Sequence, residues 1–271
     1  MQKLPDGTAW DRYGTRGAPM VVLIHGFGLN RAMWQWMIPA LADSYDIVAL
    51  DLYGHGDSAP PPEAPSLSLF SRQVRGVLDA CEVNSAAIIG FSLGGMIARR
   101  FAMDHADRCR ALVILNSPYL RSPEAQAAIE ARVIQAERDG PAATVDAALE
   151  RWFTDGFRAK TPEMMALVRG WVVANDKAVY PAIYSVLARG VTEITAPEPP
   201  LRLPALVLTA DEDFGNGPEM TRAIAAEIEG AEALILPGLR HMALAEDPDA
   251  VNAPVRAFLD RVLTPETEPL K

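Results

Sequence analysis

The chain has 271 residues, 49% of them hydrophobic and 22% charged, which is the composition of a globular protein with a sizeable core and excludes a disordered one. Its 25 Lys and Arg stand against 35 Asp and Glu, a formal charge of −10 that no basic cluster offsets, so neither nucleic acid nor an anionic membrane surface is an expected partner. No apolar stretch follows Lys3, and the longest apolar runs fall far below the ~20 residues of a membrane span, so a soluble, cytoplasmic protein is expected.

Short apolar runs recur along the chain: MVVLI (Met20–Ile24), DIVAL (Asp46–Leu50), AAIIG (86–90), ALVIL (111–115), ALVLT (205–209) and ALIL (233–236). Each lacks polar alternation, which is how a parallel strand covered on both faces reads. Between them the periodicity predicts helices over 30–41 with Asn30 as N-cap, 68–81 with Ser68 as N-cap, 93–103, 218–229 and 249–263. Strand and helix alternate, so the fold class is α/β with a mostly parallel sheet. The alternation breaks between Leu115 and Ala205, where helices are predicted over 124–138, 144–153, 162–174 and 177–188. Residues 118–200 read as an all-helical insertion at the sheet's edge, closed by the proline-rich return TAPEPPLRLP. The last residues, 265–271, read as a frayed polar tail.

The two cysteines, Cys81 and Cys109, read as reduced, buried apolar filler. The sharpest chemical signal is Gly90-Phe91-Ser92-Leu93-Gly94-Gly95, directly after a strand and opening a helix. A serine on so tight a turn needs tiny neighbours at −2 and +2, and the turn aims its hydroxyl away from the sheet at a helix N-terminus. With 19 glycines in the chain, a G-x-S-x-G match is expected by chance only about 0.05 times, so the serine reads as a nucleophile. Its base comes from four histidines. His105 lies where the helix after Ser92 ends and reads as a capping residue, whereas His25, His55 and His241 all lie in loops after strands. Asp211-Glu212-Asp213 follows the strand 205–209, and the chain order serine, acid, histidine selects His241. Which of the three acids serves is left open by spacing alone. Glycines and acids around His55 could be imagined as a metal or phosphate loop, but one imidazole is a poor ligand set, and His55 is assigned a structural role with no metal and no cofactor expected.

Over nearly its whole length the chain resembles the α/β-hydrolase superfamily. The matching motifs are His25-Gly26-Phe27-Gly28, Asp51-Leu52-Tyr53-Gly54-His55-Gly56-Asp57-Ser58, the turn at Ser92, and Gly238-Leu239-Arg240-His241-Met242. The resemblance implies an eight-stranded, mostly parallel sheet with helices on both faces, a Ser92–Asp213–His241 triad, and an oxyanion hole from the backbone N–H groups of Phe27 and Leu93. It implies a core of residues 1–117 and 201–271, with 118–200 as a cap over the site. Two departures stand out: Ala210 replaces the usual glycine before the acid loop and Phe214 the usual proline after the acid, so Asp211 and Glu212 remain rivals of Asp213. Some relatives carry the acid after the sixth strand, but here that stretch is Asn116-Ser117-Pro118 and offers no carboxylate.

The implied reaction is acyl transfer through Ser92 onto water, with a small ester or lactone as the only partner. The segments GFSLGGMIARRFA and LERWFTDGFRAKTPE resemble 3-oxoadipate enol-lactonases and small carboxylesterases. Carbon–carbon bond hydrolases and ligand-hydrolysing receptors share the fold and are the alternatives. Pocket-lining candidates are Met33, Trp34, Trp152, Trp171 and Tyr184, and an anionic lactone would call for a cation from Arg151, Arg169 or Arg189. Sequence leaves the oligomeric state open.

Overall fold

The computed structural model describes residues 1–263; the polar tail expected over 265–271 lies outside them. The strands are β1 (Gln2–Lys3), β2 (Ala9–Gly14), β3 (Met20–Ile24), β4 (Asp46–Leu50), β5 (Ala86–Phe91), β6 (Cys109–Leu115), β7 (Leu201–Ala210) and β8 (Ile228–Leu236). Among the described residues they form one sheet in the order β1-β2-β4-β3-β5-β6-β7-β8, parallel from β4 to β8 with β1 and β2 antiparallel at one end. Every residue of β3, β4 and β5 is buried, as their unbroken apolar runs require. β2 gave no such signal because only Ala9 and Trp10 are buried and the rest of the strand faces progressively into solvent.

The helices are α1 (Ile38–Leu41), α2 (Leu67–Ala80), α3 (Leu93–Asp104), α4 (Pro123–Asp139), α5 (Ala142–Trp152), α6 (Asp155–Lys160), α7 (Pro162–Val173), α8 (Tyr180–Arg189), α9 (Pro218–Ala226), α10 (Ala243–Glu246) and α11 (Pro248–Leu263). The helix predicted over 30–41 is instead a 3₁₀ turn, Arg31–Trp36, capped by Asn30 Oδ1 on the Ala32 N–H, followed by the short α1. Pro39 explains the break, since it has no N–H to continue a ladder and its ring collides with the carbonyl four residues back. Ser66, not Ser68, caps α2: its backbone is extended and its hydroxyl accepts the Leu69 N–H at 3.1 Å. The helix predicted over 218–229 ends at Ala226 because the chain turns into β8, where Glu229 pairs with Arg202 of β7 at 3.0 Å.

Between β6 and β7 the chain is helical throughout, α4 to α8, as expected, with α6 as an additional short helix. Thr154 caps α6, but Gly156 and a single large apolar residue, Phe157, left it without a readable periodicity. These helices lie over the carboxyl ends of the strands. The contacts that fix them there are Met242 N–H to Trp152 O at 2.9 Å, Asn175 Nδ2 to Gly28 O at 2.9 Å, and Arg240 to the carbonyls of Glu150 and Phe153, each at 2.9 Å. Among the described residues no helix is long and apolar enough to cross a membrane. Cys81 and Cys109 are unpaired and buried, as expected, and burial pushes the Cys109 thiol up to about 12.

Candidate active site

β5 delivers Ser92 to the carboxyl edge of the sheet, and the turn there is as tight as the motif demands. Ser92 has φ 53°, a left-handed conformation rare outside glycine, anchored by its own N–H on Leu115 O at 2.8 Å. The flanking glycines are there because nothing larger fits. A Cβ on Gly90 would fall 2.1 Å from Gly94 O, and one on Gly94 would fall 2.1 Å from Ile24 O. Helix α3 therefore starts in backbone contact with the end of β3, which sets the first turn of the helix beside the loop that follows β3.

That loop carries one of the proposed oxyanion donors, Phe27; the other, Leu93, opens α3. A Cβ on Gly26 would stand 3.3 Å from Ser92 Cβ, so the backbone at Gly26 and Phe27 runs directly alongside the serine. Among the described residues neither the Phe27 nor the Leu93 N–H donates to another group. The loop's shape is fixed from beneath by two histidines. His55 Nε2 accepts the Gly28 N–H at 3.0 Å, and His25 Nε2 accepts the Leu52 N–H at 3.0 Å while its Nδ1 meets Gly26 O at 2.7 Å. Both rings are fully buried, and desolvation lowers His25 to about 4 and His55 to about 3, so both are neutral at pH 7. The structural role expected of His55 is thus the support of this loop. An ion-pair network around the buried Asp51 holds the next layer, with Arg31 bridging Asp11, Asp51 and the exposed Asp57.

His241 follows β8, and its ring packs against Phe91 at 4.8 Å and Trp152 at 5.9 Å between centroids. Its Nδ1 lies 2.7 Å from Asp213 Oδ2, the shortest polar contact of either group. Of the three rival acids only Asp213 is buried. Asp211 is exposed and accepts the Gly238 N–H at 2.7 Å, and Glu212 is exposed beside Arg240 at 3.6 Å. Burial alone would raise the Asp213 carboxyl; His241 beside it and hydrogen bonds from His241, Asn116 Nδ2 at 3.0 Å and the Asn216 N–H at 3.1 Å outweigh that and hold it below its ordinary range. Asn116 escaped the sequence reading as a site residue. It stands just after β6, the position noted as offering no carboxylate, and its carboxamide instead ties Asp213 to Thr209 Oγ1.

Ser92, Asp213 and His241 line one cavity beneath the helical insertion, and Ser92 Oγ makes no hydrogen bond to any described residue, leaving the hydroxyl open to that space. Its walls include Phe27, Tyr180 and Tyr184, whose rings cluster at 4.3 and 4.4 Å, and residues of α4 and α5, Trp152 among them. A family profile described as the alpha/beta hydrolase fold matches residues 19–248, a span that contains all three residues and the whole helical insertion. The chain belongs to the alpha/beta hydrolase fold family.

Relatives of this hydrolase cover nearly its full length at low identity. A protein of Acinetobacter baylyi named (E)-2-((N-methylformamido)methylene)succinate hydrolase is 26% identical across 90% of this chain and 91% of its own. The 3-oxoadipate enol-lactonase 2 of the same organism is 25% identical across 92% and 91%. Among solved structures, the enol-lactonase from Burkholderia xenovorans superposes with a TM-score of 0.85 at 28% identity, across 93% of this chain and 96% of that one.

Not every expected pocket residue is at the cavity. Trp152 and Tyr184 line it; Met33, Trp34 and Trp171 do not. Met33 and Trp34 sit on the 3₁₀ turn after the loop 26–28 and are wholly buried in the core, because that turn presents its apolar face to the protein interior. Trp171, on α7, packs on Trp36 at 6.0 Å between ring centroids. Of the candidate cations only Arg151 reaches the cavity, since Arg169 is exposed with Asp146 and Arg189 is exposed near Glu130. Two others that sequence did not single out, Arg121 and Arg132, line it as well. His105 closes α3 as expected, its ring against Phe101 at 5.1 Å.

Proposed function

We propose that this hydrolase cleaves a small carboxylic ester or lactone through an acyl-serine intermediate. The observation that carries the reading is the buried Asp213–His241 pair opening on the same cavity as a left-handed serine whose hydroxyl is unspent. In the first half-reaction Ser92 Oγ attacks the substrate carbonyl carbon as its proton passes to His241 Nε2. The new oxyanion accepts from the Phe27 and Leu93 N–H groups at the positive end of α3. Collapse breaks the C–O bond, and the leaving oxygen takes the proton back from His241; in a lactone it stays tethered to the acyl chain. Water then repeats the sequence, giving its proton to His241 and releasing the acid and Ser92. Asp213 holds the imidazole with Nδ1–H toward itself, so Nε2 faces the serine as a base, and stabilises the imidazolium that forms.

The enol-lactonase names among the relatives support a lactone as one form of the substrate, and the compact helical insertion supports residues 118–200 acting as a lid over the core 1–117 and 201–271. The reaction needs no cofactor, and the substrate is the one partner the reading requires. Steady-state hydrolysis of 4-nitrophenyl acetate and of an unsubstituted enol-lactone tests it. Continuous turnover of at least one, lost by roughly 10⁴-fold in Ser92→Ala, is expected. Absence of turnover on both, or a single burst with none after it, would overturn it.

A further inference from the structure

Beyond the acyl-serine chemistry, and resting on it for the identity of the scissile bond, the geometry points to a dianionic substrate: an ester or lactone whose body carries two free carboxylates, held by Arg121, Arg132 and Arg151. These three guanidinium groups line the same cavity as Ser92 and His241. They arrive there by helix geometry. Arg132 follows cavity-lining Ile129 by three positions on α4, and Arg151 completes the stripe Thr144, Ala148, Arg151 on α5. Arg121 enters from the segment before α4.

What sets the three apart is that they are partly buried at a cavity and yet have no acidic partner: among the described residues no salt bridge reaches Arg121, Arg132 or Arg151, and the other arginines without one, Arg16, Arg110 and Arg222, are exposed. Arg132 spends its Nε on the Tyr184 hydroxyl at 3.1 Å, and Arg151 makes no hydrogen bond to a described residue. Arg121 donates to the carbonyls of Leu187 and Ala188 at 3.3 and 3.2 Å, in the last turn of α8. Burial, and then the positive charge of Arg132, lowers Arg121 to about 10 and also lowers Arg151. Both groups stay charged at neutral pH, and each is held against repulsion that an anion would relieve.

The donors set the number of carboxylates. One carboxylate offers about four acceptor sites, which two bidentate guanidinium groups fill, so the third guanidinium calls for a second carboxylate. Asp213 lines the same cavity, but its oxygens are taken up by His241, Asn116 and the Gly215 and Asn216 N–H groups. Planar guanidinium groups suit carboxylates because each can make two parallel hydrogen bonds. The cavity, about 100 Å³, lies below the usual range for drug-sized ligands, so the acid is small. In a protein of net charge −10 the cluster is also the local reversal of field that an anionic substrate requires.

Isothermal titration of succinate and glutarate, with monomethyl succinate and butyrate as single-charge controls of similar size, reads the subsite without turnover. Wild-type protein is expected to bind the di-acids roughly 10–100-fold more tightly than the controls. Arg151→Gln and Arg132→Gln, which leave the α8 carbonyl contacts of Arg121 in place, are each expected to lose about 10-fold or more for glutarate. Equal affinity for mono- and di-acids, or full glutarate affinity in both variants, would overturn the proposal. The same wild-type preparation assayed with 4-nitrophenyl acetate and with the enol-lactone separates the two claims: turnover of either without di-acid preference refutes the dianion, and di-acid preference without turnover of either supports the subsite while refuting the acyl-serine reading.

Discussion

Asn116→Ala removes a hydrogen bond from Asp213, the carboxylate proposed to orient the base, and its cost can be worked from the geometry. Asp213 Oδ2 has two close donors, His241 Nδ1 at 2.7 Å and Asn116 Nδ2 at 3.0 Å, with Thr209 Oγ1 farther off at 3.5 Å; Oδ1 is served by the Gly215 and Asn216 N–H groups at 3.2 and 3.1 Å. A hydrogen bond to a charged group contributes about 1.5–3 kcal/mol, and a buried carboxylate has no water to replace the lost donor. Stability should therefore fall by about 2 kcal/mol, lowering Tm by roughly 4 °C in a chain of this size. The Asp213 carboxylate is then free to pivot about its remaining contacts, and the imidazolium of the transition state loses a fixed partner. A fall in kcat/KM of roughly 10–100-fold is expected, carried by kcat because the interaction strengthens as His241 takes its proton. The assay is steady-state hydrolysis of 4-nitrophenyl acetate beside a thermal melt of the same preparation. A melt lowered as expected with kcat within about twofold of wild type would refute the reasoning, since Asn116 would then support the fold without positioning the acid.

Gly94→Ala should be among the most destabilising single methyl additions in the chain. The new Cβ would meet Ile24 O at 2.1 Å and His25 O at 2.7 Å, both backbone atoms that no side-chain rotation can move, so a loss of at least about 3 kcal/mol in urea unfolding, or failure to fold, is expected. A stability within 1 kcal/mol of wild type would contradict the tight approach of α3 to β3. Acid should destabilise the protein well above the carboxylate range. His25 and His55 are lowered from 6.5 to about 4 and about 3, so below pH 6.5 the unfolded chain takes up protons that the folded chain refuses. Stability is fully present above pH 6.5 and declines as pH falls toward 4. At about 1.4 kcal/mol per histidine per pH unit, roughly 4 kcal/mol should be gone by pH 5. Urea titrations at pH 7 and pH 5 measure it, and His55→Gln should remove about half the slope; a stability flat across that interval would mean the two rings are not buried neutral.

The buried half of this architecture is legible in the sequence because parallel strands covered on both faces leave unbroken apolar runs, as β3 to β6 do. What misleads is local punctuation and exposure. Pro39 cuts a helix that periodicity alone would continue, Ser66 outcompetes Ser68 as a cap because only Ser66 precedes the first buried leucine, and β2, buried only over its first two residues, leaves neither an apolar run nor an alternation. At the site, Ser92 and His241 are readable because glycine spacing and chain order constrain them. Asp213 is separable from Asp211 and Glu212 only by burial, which no spacing displays. Asn116 and the trio Arg121, Arg132 and Arg151 are harder still. Their meaning lies in what they touch, or in the acidic partners they lack, and the helices that bring the arginines together are separated in sequence from the serine they face.

The most direct measurement of the central claim is intact-mass analysis after reaction with a fluorophosphonate, which is attacked only by an activated hydroxyl. One adduct per chain is expected, mapping to Ser92 by peptide digestion, absent in Ser92→Ala and formed far more slowly in His241→Ala. No adduct on the wild-type chain, or an adduct that persists in Ser92→Ala, would contradict the account.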